Sequence, residues 1–167
     1  ADGDQIVTVS VRILGNSLEY VALASQQLVL TNRDDDIASI LIRAPERLST
    51  SESGTSDHFE VLLQSRPETS VRIPLRTSQP NEISINPEAV VIQPDNWDQP
   101  QRVVIQGLDD ERLDGSQFFL VNILPAESND QLYHGLDATD LVGTNEDNDQ
   151  PGILTSTGSL RVSESFG

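Results

Sequence analysis

Three acidic knots carry the side chains best suited to chemistry: Asp34-Asp35-Asp36, then Asp109-Asp110-Glu111 with Asp114 just after, then Glu146-Asp147-Asn148-Asp149. Each sits at the end of an apolar stretch. Carboxylates at this density offer three chemistries. Two of them flanking a bond hydrolyse glycosides, a convergent group of oxygens holds a hard cation, and Asp or Asn at a chain reversal makes a turn. Like-charged knots at strand ends suit a metal better than a glycosidase pair. Turn chemistry and solubility stand as the alternative for any single knot. A solvated face scatters its charges and a disordered tail runs them together. Knots at strand ends instead fit loops that converge at one pole of a β-sandwich.

Other reactive types are sparse. There is no Cys, hence no disulfide, thiolate metal site or cysteine nucleophile. His58 and His134 are far apart and have no metal-like spacing. Ser51, Ser53 and Ser163 lack the Gly-x-Ser-x-Gly elbow of a hydrolase. Trp97, between Pro94 and Pro100, reads as a packing plug ahead of a sugar-stacking platform, because indole has a large body to bury.

The whole chain is acidic. Its 167 residues hold 27 Asp and Glu against 10 basic residues, all Arg, for a net charge of −17. Such a balance argues against a nucleic-acid partner, which needs clustered positive charge. No apolar run approaches a membrane span, and no signal peptide is recognisable. The lack of Met is expected of a processed or excised segment. With 36% hydrophobic residues the composition is that of a globular protein.

The elements that must position these carboxylates are strands. Val7, Val9, Val11 and Ile13 alternate with Thr8, Ser10 and Arg12; Phe59, Val61 and Leu63 with His58, Glu60 and Leu62; Val71, Ile73 and Leu75 with Arg72, Pro74 and Arg76. The period of two returns at Ile83–Ile85, Val103–Ile105 and Phe119–Ile123, with Pro, Asn, Ser and Asp between the runs. Short alternating runs separated by turn residues predict half-buried antiparallel strands in a sandwich or barrel. Phe59, Val61, Ile73, Val103, Ile105, Phe119 and Val121 are the expected inward residues.

The sequence also repeats. Asp2-Gly3-Asp4-Gln5 matches Asp114-Gly115-Ser116-Gln117 at a shift of 112. Tyr20 precedes Thr31-Asn32 as Tyr133 precedes Thr144-Asn145, each by 11 residues. Leu48-Ser49-Thr50-Ser51-Glu52-Ser53 matches Leu160-Arg161-Val162-Ser163-Glu164-Ser165, again shifted by 112. Ordered blocks at nearly one spacing, 113 for the Tyr and Thr-Asn block and 112 for the others, mark a repeat architecture. The expected division is residues 1–36 as the last strands of one repeat, 37–149 as a complete repeat and 150–167 as the opening strand of a third. The junctions are too short to act as flexible linkers.

The block Pro94-Asp95-Asn96-Trp97-Asp98-Gln99-Pro100 through Gly107-Leu108-Asp109-Asp110 resembles the most characteristic stretch of the Calx-β domain, in its bacterial tandem-repeat form. Ser51-Glu52 resembles the acidic opening of that domain, and Asp114-Gly115, Tyr133-His134-Gly135 and Thr144 through Asp149 follow the block in the family's order. The resemblance implies a seven-stranded immunoglobulin-like antiparallel β-sandwich that binds Ca²⁺ at one pole. It places Glu52, Asp109, Asp110, Asp147 and Asp149 around the ion, with Asp114 a lesser candidate and Asp34, Asp35 and Asp36 at the same place one repeat earlier. One departure stands out: the family's mid-domain acidic residue has no counterpart in Thr77-Ser78-Gln79-Pro80-Asn81. The expected role is a Ca²⁺-stabilised structural and adhesive repeat of a long secreted or cell-surface protein, with no catalysis of its own. Its terminal strands would pair with neighbouring repeats or with further copies, head to tail in a filament. A glycan- or protein-binding module using the loops around Trp97 or Tyr133, or an accessory domain of a large secreted enzyme, are the alternatives.

Overall fold

Strand alternation turns into two facing sheets. The structure is a computed structural model that describes residues 3–11 and 26–152, the side chain of Gln26 excepted. Ile13, Tyr20 and the Leu160–Ser165 block lie outside the described residues. Among those described there is no helix.

The strands are β1 (Gln5–Val11), β2 (Gln26–Asn32), β3 (Ile40–Arg43), β4 (Leu48–Ser51), β5 (Ser56–Leu63), β6 (Val71–Thr77), β7 (Ile83–Asn86), β8 (Ala89–Ile92), β9 (Gln101–Gly107), β10 (Gln117–Ile123), β11 (Glu127–Ser128) and β12 (Leu141–Glu146). One sheet runs β11-β6-β10-β12-β4 with β8 also on β6, and the other runs β3-β5-β9-β7. β1 and β2 form a separate antiparallel hairpin. Every pairing is antiparallel except β12 with β4.

The fold is therefore the expected all-β sandwich, with more strands than the resemblance implies. The opening stretch divides around Pro45 into β3 and β4, one in each sheet, and the stretch around Pro87 divides likewise into β7 and β8. Proline has no N–H for a ladder and so breaks a run that would otherwise continue.

The inner faces meet in one apolar core. Phe59, Val61, Ile73, Val103, Ile105, Phe119 and Val121 are all buried there, as the alternation predicts. Leu62 departs from the pattern, being buried on the other face of β5, opposite Leu41. Gly143 on β12 faces Phe119 on β10, and a methyl group on it would overlap the Phe119 ring. A large and a small residue thus share one layer. Trp97 packs against the core from the β8–β9 loop, as a plug should. Tyr133 is fully buried, and its hydroxyl donates to the Ser65 carbonyl at 2.5 Å while the Ser65 N–H donates to it at 3.3 Å. That bond ties the β11–β12 connection to the end of β5.

The chain crosses the sandwich from end to end. It comes in at Ile40 beside Leu63 and leaves at Glu146 beside Ser51, at the opposite end of β5. Glu52, Asp109, Asp110, Asp147 and Asp149 gather at the second of these poles.

Candidate metal centre

Parallel pairing of β4 with β12 builds the site. Ser51 and Glu146 lie side by side at the strand ends, and the Glu52 N–H continues the ladder to the Glu146 carbonyl at 3.0 Å. Glu52 and Asp147 are therefore neighbours although 95 residues separate them in sequence. β9 ends at the same pole. Gly107 packs so closely there that a methyl group on it would collide with the Ser51 carbonyl and the Asn145 Oδ1. Glycine at this position lets the Leu108-Asp109-Asp110 segment follow directly behind β4 and β12.

A buried polar brace lies beneath. Asn145 accepts from Thr50 Oγ1 at 2.9 Å and donates through Nδ2 to the Glu82 carbonyl at 3.1 Å and to Glu82 Oε2 at 3.3 Å. Three segments from both sheets are fixed in this way. Satisfied polar groups inside a low-dielectric core hold geometry firmly.

Above the brace, carboxylate oxygens of Glu52, Asp147 and Asp149 lie within 4.8 Å of one another. Glu52 is 3% exposed, and Asp147 and Asp149 are half-buried. Asp147 accepts the Gly115 N–H at 2.6 Å on one oxygen and the Asp149 N–H at 2.7 Å on the other. The Asn148 N–H donates to Glu52 Oε2 at 3.2 Å, and its side chain donates to Asp109 Oδ1 at 2.9 Å. Asp149 Oδ2 is buried without a hydrogen-bond partner, a rare condition for a carboxylate oxygen.

The electrostatics match that crowding. Burial first, and then the charges of Asp147, Asp110 and Asp149, push the Glu52 carboxyl above its ordinary range against the pull of the Asn148 N–H. Asp149 is pushed up by burial and by Asp147, Asp109, Asp110 and Glu111. Asp147 goes the other way, because the Asp149 and Gly115 N–H groups stabilise its charge. A divalent cation among such groups converts mutual repulsion into attraction. The residues fit a hard, oxygen-seeking ion such as Ca²⁺.

The structure gathers some of the sequence candidates and separates others. Glu52, Asp147 and Asp149 converge; Asp109 and Asp110 stand beside them within electrostatic reach. Asp114 is exposed and precedes Gly115, whose φ of 74° makes the turn that aims its N–H at Asp147. Glu82, just after the stretch that lacks a mid-domain acid, accepts from Asn145 Nδ2. The bracing of Asn145 and Asn148 was hidden in sequence. The one available sign was the Thr-Asn pair recurring as Thr31-Asn32 and Thr144-Asn145.

Asp34, Asp35 and Asp36 stand at the end of β2 in a related arrangement. Gly3, at φ 73°, donates its N–H to Asp34 Oδ2 at 2.6 Å, and the Asp36 N–H donates to Asp34 Oδ1 at 3.0 Å. These are the Gly115–Asp147 and Asp149–Asp147 bonds over again. The ladders also coincide, Gln5 opposite Asn32 as Gln117 is opposite Asn145.

No protein-family model and no curated protein matches the sequence. Among solved structures, the chain is similar to the apo-form Calx CBD1 domain, at 14% identity over 66% of this chain and 99% of that one, with a TM-score of 0.48. It is similar to CBD12 from CALX1.2 at 15% identity, over 73% of this chain and 50% of that one, TM-score 0.47. A cohesin–dockerin complex from Clostridium thermocellum supplies a further likeness, at 9% identity over 70% and 97% with a TM-score of 0.38. No helix of the described residues is long and apolar enough to cross a membrane.

Proposed function

We propose that this chain is a Ca²⁺-stabilised structural and adhesive repeat module of a long secreted or cell-surface protein of bacterial type, and that it is not an enzyme. One observation carries the metal: three carboxylates within 4.8 Å of one another, one of them with a buried oxygen that has no partner. Glu52, Asp147 and Asp149 would hold the ion, with Asp109 and Asp110 completing its oxygen shell. Bound there, Ca²⁺ would pin β4, β12 and the segment after β9 at the pole where the chain leaves the sandwich.

Division into tandem repeats draws support from the duplicated hydrogen bonds and ladder register of β1–β2 and β10–β12. An acidic pole at each junction would stiffen the joint between successive domains. High negative charge, absence of thiols and reliance on Ca²⁺ suit an extracellular setting. Recognition through the Tyr133 loop draws no support, since that ring is buried and its hydroxyl is engaged by Ser65.

Thermal melting in Ca²⁺ and in chelator tests the proposal. An ion that binds only the folded state adds roughly 2.7 kcal/mol at a hundred times its Kd. The melting temperature should rise with Ca²⁺, and Asp147→Asn with Asp149→Asn should remove the rise. Identical curves in Ca²⁺ and chelator would contradict it.

A further inference from the structure

β7 and β8 are one run of chain that changes sheets at Pro87. β8 pairs with β6 over Val71–Pro74, whereas β7 pairs with β9 in the facing sheet. The ladder beside β6 ends where the Leu75 N–H meets the Glu88 carbonyl at 2.9 Å. From there to Thr77, β6 has β10 on one side and, among the described residues, no strand on the other. The two sheets part along this edge as a wedge, which forms a cleft of about 610 Å³. Small-ligand sites have volumes of roughly 300–1,000 Å³. Buried Leu75 and Ile83 make its base, and Pro74 and Pro80 add apolar surface. None of its lining residues belongs to the cluster of Glu52, Asp147 and Asp149.

The polar lining is unusual for so acidic a chain. Arg72, Pro74 and Arg76 alternate with buried Val71, Ile73 and Leu75, so both arginines stand on the outward face of β6 and line the cleft. Arg72 Nη1 donates to Glu127 Oε2 at 2.9 Å, which anchors that guanidinium at one end. Arg76 has no ion pair and no side-chain hydrogen bond among the described residues, although the sequence holds 27 acids. Glu88 lines the same cleft without pairing to either arginine, and Ser84 brings a hydroxyl. A guanidinium takes a carboxylate through charge-assisted, often paired, hydrogen bonds. A carboxylate beside it only accepts, so it suits hydroxyl donors and repels further negative charge. The matching ligand therefore bears one negative charge, several hydroxyls and an apolar face. A phosphate group, with its greater charge, would be opposed by Glu88 and Glu127.

We propose that the wedge between β6 and β7 binds a uronic-acid residue of a polysaccharide. A pyranose ring bearing a carboxylate has the required parts: one charge, a rim of hydroxyls and faces made of C–H groups. Arg76 pairs with the carboxylate, Glu88 accepts from ring hydroxyls, and a C–H face lies on the apolar surface of Pro74 and Pro80. The site rests on the adhesive reading above, to which it gives a ligand, and is independent of the metal centre. A single charged residue in an otherwise neutral glycan is also the form of acidic sugar that a chain at −17 repels least.

Titration of the full, ¹⁵N-labelled chain with methyl β-D-glucuronoside, followed by amide and Arg side-chain resonances, tests this. The expected result is saturable shifts at Arg76, Thr77, Ser84 and Glu88, the same in Ca²⁺ and in chelator. Arg76→Gln should weaken binding at least tenfold while leaving the melting temperature unchanged, because Arg76 is exposed. Arg76→Lys, which keeps the charge without the fork, should lose less. Methyl β-D-glucoside, the neutral counterpart, should bind at least tenfold more weakly than the glucuronoside. No saturable shifts, shifts that Arg76→Gln leaves intact, or equal binding of the neutral glycoside would overturn the site. Inorganic phosphate that binds there as tightly would overturn the sugar-acid assignment. Shifts that appear only with Ca²⁺ would move the sugar to the metal centre and overturn the cleft. A chain that melts higher in Ca²⁺ but shows no shifts contradicts this cleft alone and leaves the metal centre standing.

Discussion

Glu52 is the residue on which the pole turns, because it is the most buried of the acids among the described residues and stands among the charges of Asp147, Asp110 and Asp149. Without an ion, the folded state holds a proton on Glu52 more firmly than the unfolded chain does. The fold therefore binds extra protons just above the ordinary glutamate value of 4.5, and its stability falls as pH rises through that window. Asp149 acts in the same sense above 3.8, whereas Asp147, pulled down, contributes stability that is lost only as pH falls below 3.8. Chelated protein should thus melt at a higher temperature near pH 5 than at pH 7, on the same linkage grounds. Glu52→Gln should flatten that slope and remove the response to Ca²⁺. Melting curves across pH in chelator check both, and a slope unchanged by Glu52→Gln would remove Glu52 from this role. Glu52 itself was legible in sequence only through its place in the family pattern; no spacing connects it with Asp147. What joins them is the parallel β4–β12 pair, and parallel pairing leaves no local mark of the kind a hairpin turn does.

Strands were the most readable level. A period of two survives wherever one face is buried, so the inward residues of β5, β6, β9 and β10 follow directly from alternation. Prolines at 45 and 87 were visible too, but which runs they split between sheets depends on contacts far away in sequence. The glycines that permit close approach were not marked at all, because the neighbour each one accommodates comes from another strand. Truncating Phe119 to Ala should cost roughly 3–5 kcal/mol, as large buried rings do. Gly143→Ala should cost on the order of 1–3 kcal/mol by forcing the Phe119 ring aside. Phe119→Val combined with Gly143→Leu copies the Val7–Leu30 pair of the hairpin, and the double variant should be more stable than the sum of its parts. A denaturant-unfolding double-mutant cycle measures that coupling, and strict additivity would show that the β1–β2 and β10–β12 pairs are packed for different surroundings.

At the scale of the molecule, charge and apolar surface are unevenly distributed. The acids converge where one sandwich ends, and a half-exposed apolar hairpin stands ahead of the other end. A chain with net charge −17 repels itself, and a divalent ion held by Glu52, Asp147 and Asp149 would relieve that repulsion where carboxylates are densest. Gly107 links the two scales. Replacing it with Ala should push the Asp109–Asp110 segment away from Ser51 and Asn145 and weaken Ca²⁺ binding, even where the core of the sandwich survives. Calorimetric titration of that variant against the parent checks this, and unchanged affinity would show that the segment takes no part in the site.

Calorimetric titration of the intact chain with Ca²⁺ at neutral pH, repeated with Asp147→Asn and Asp149→Asn together, tests the metal centre most directly. Saturable binding by the parent, lost in the double variant and accompanied by a matching rise in the parent's melting temperature, is the expected result. No heat of binding and no melting shift in the parent, or binding that survives both substitutions, would contradict it.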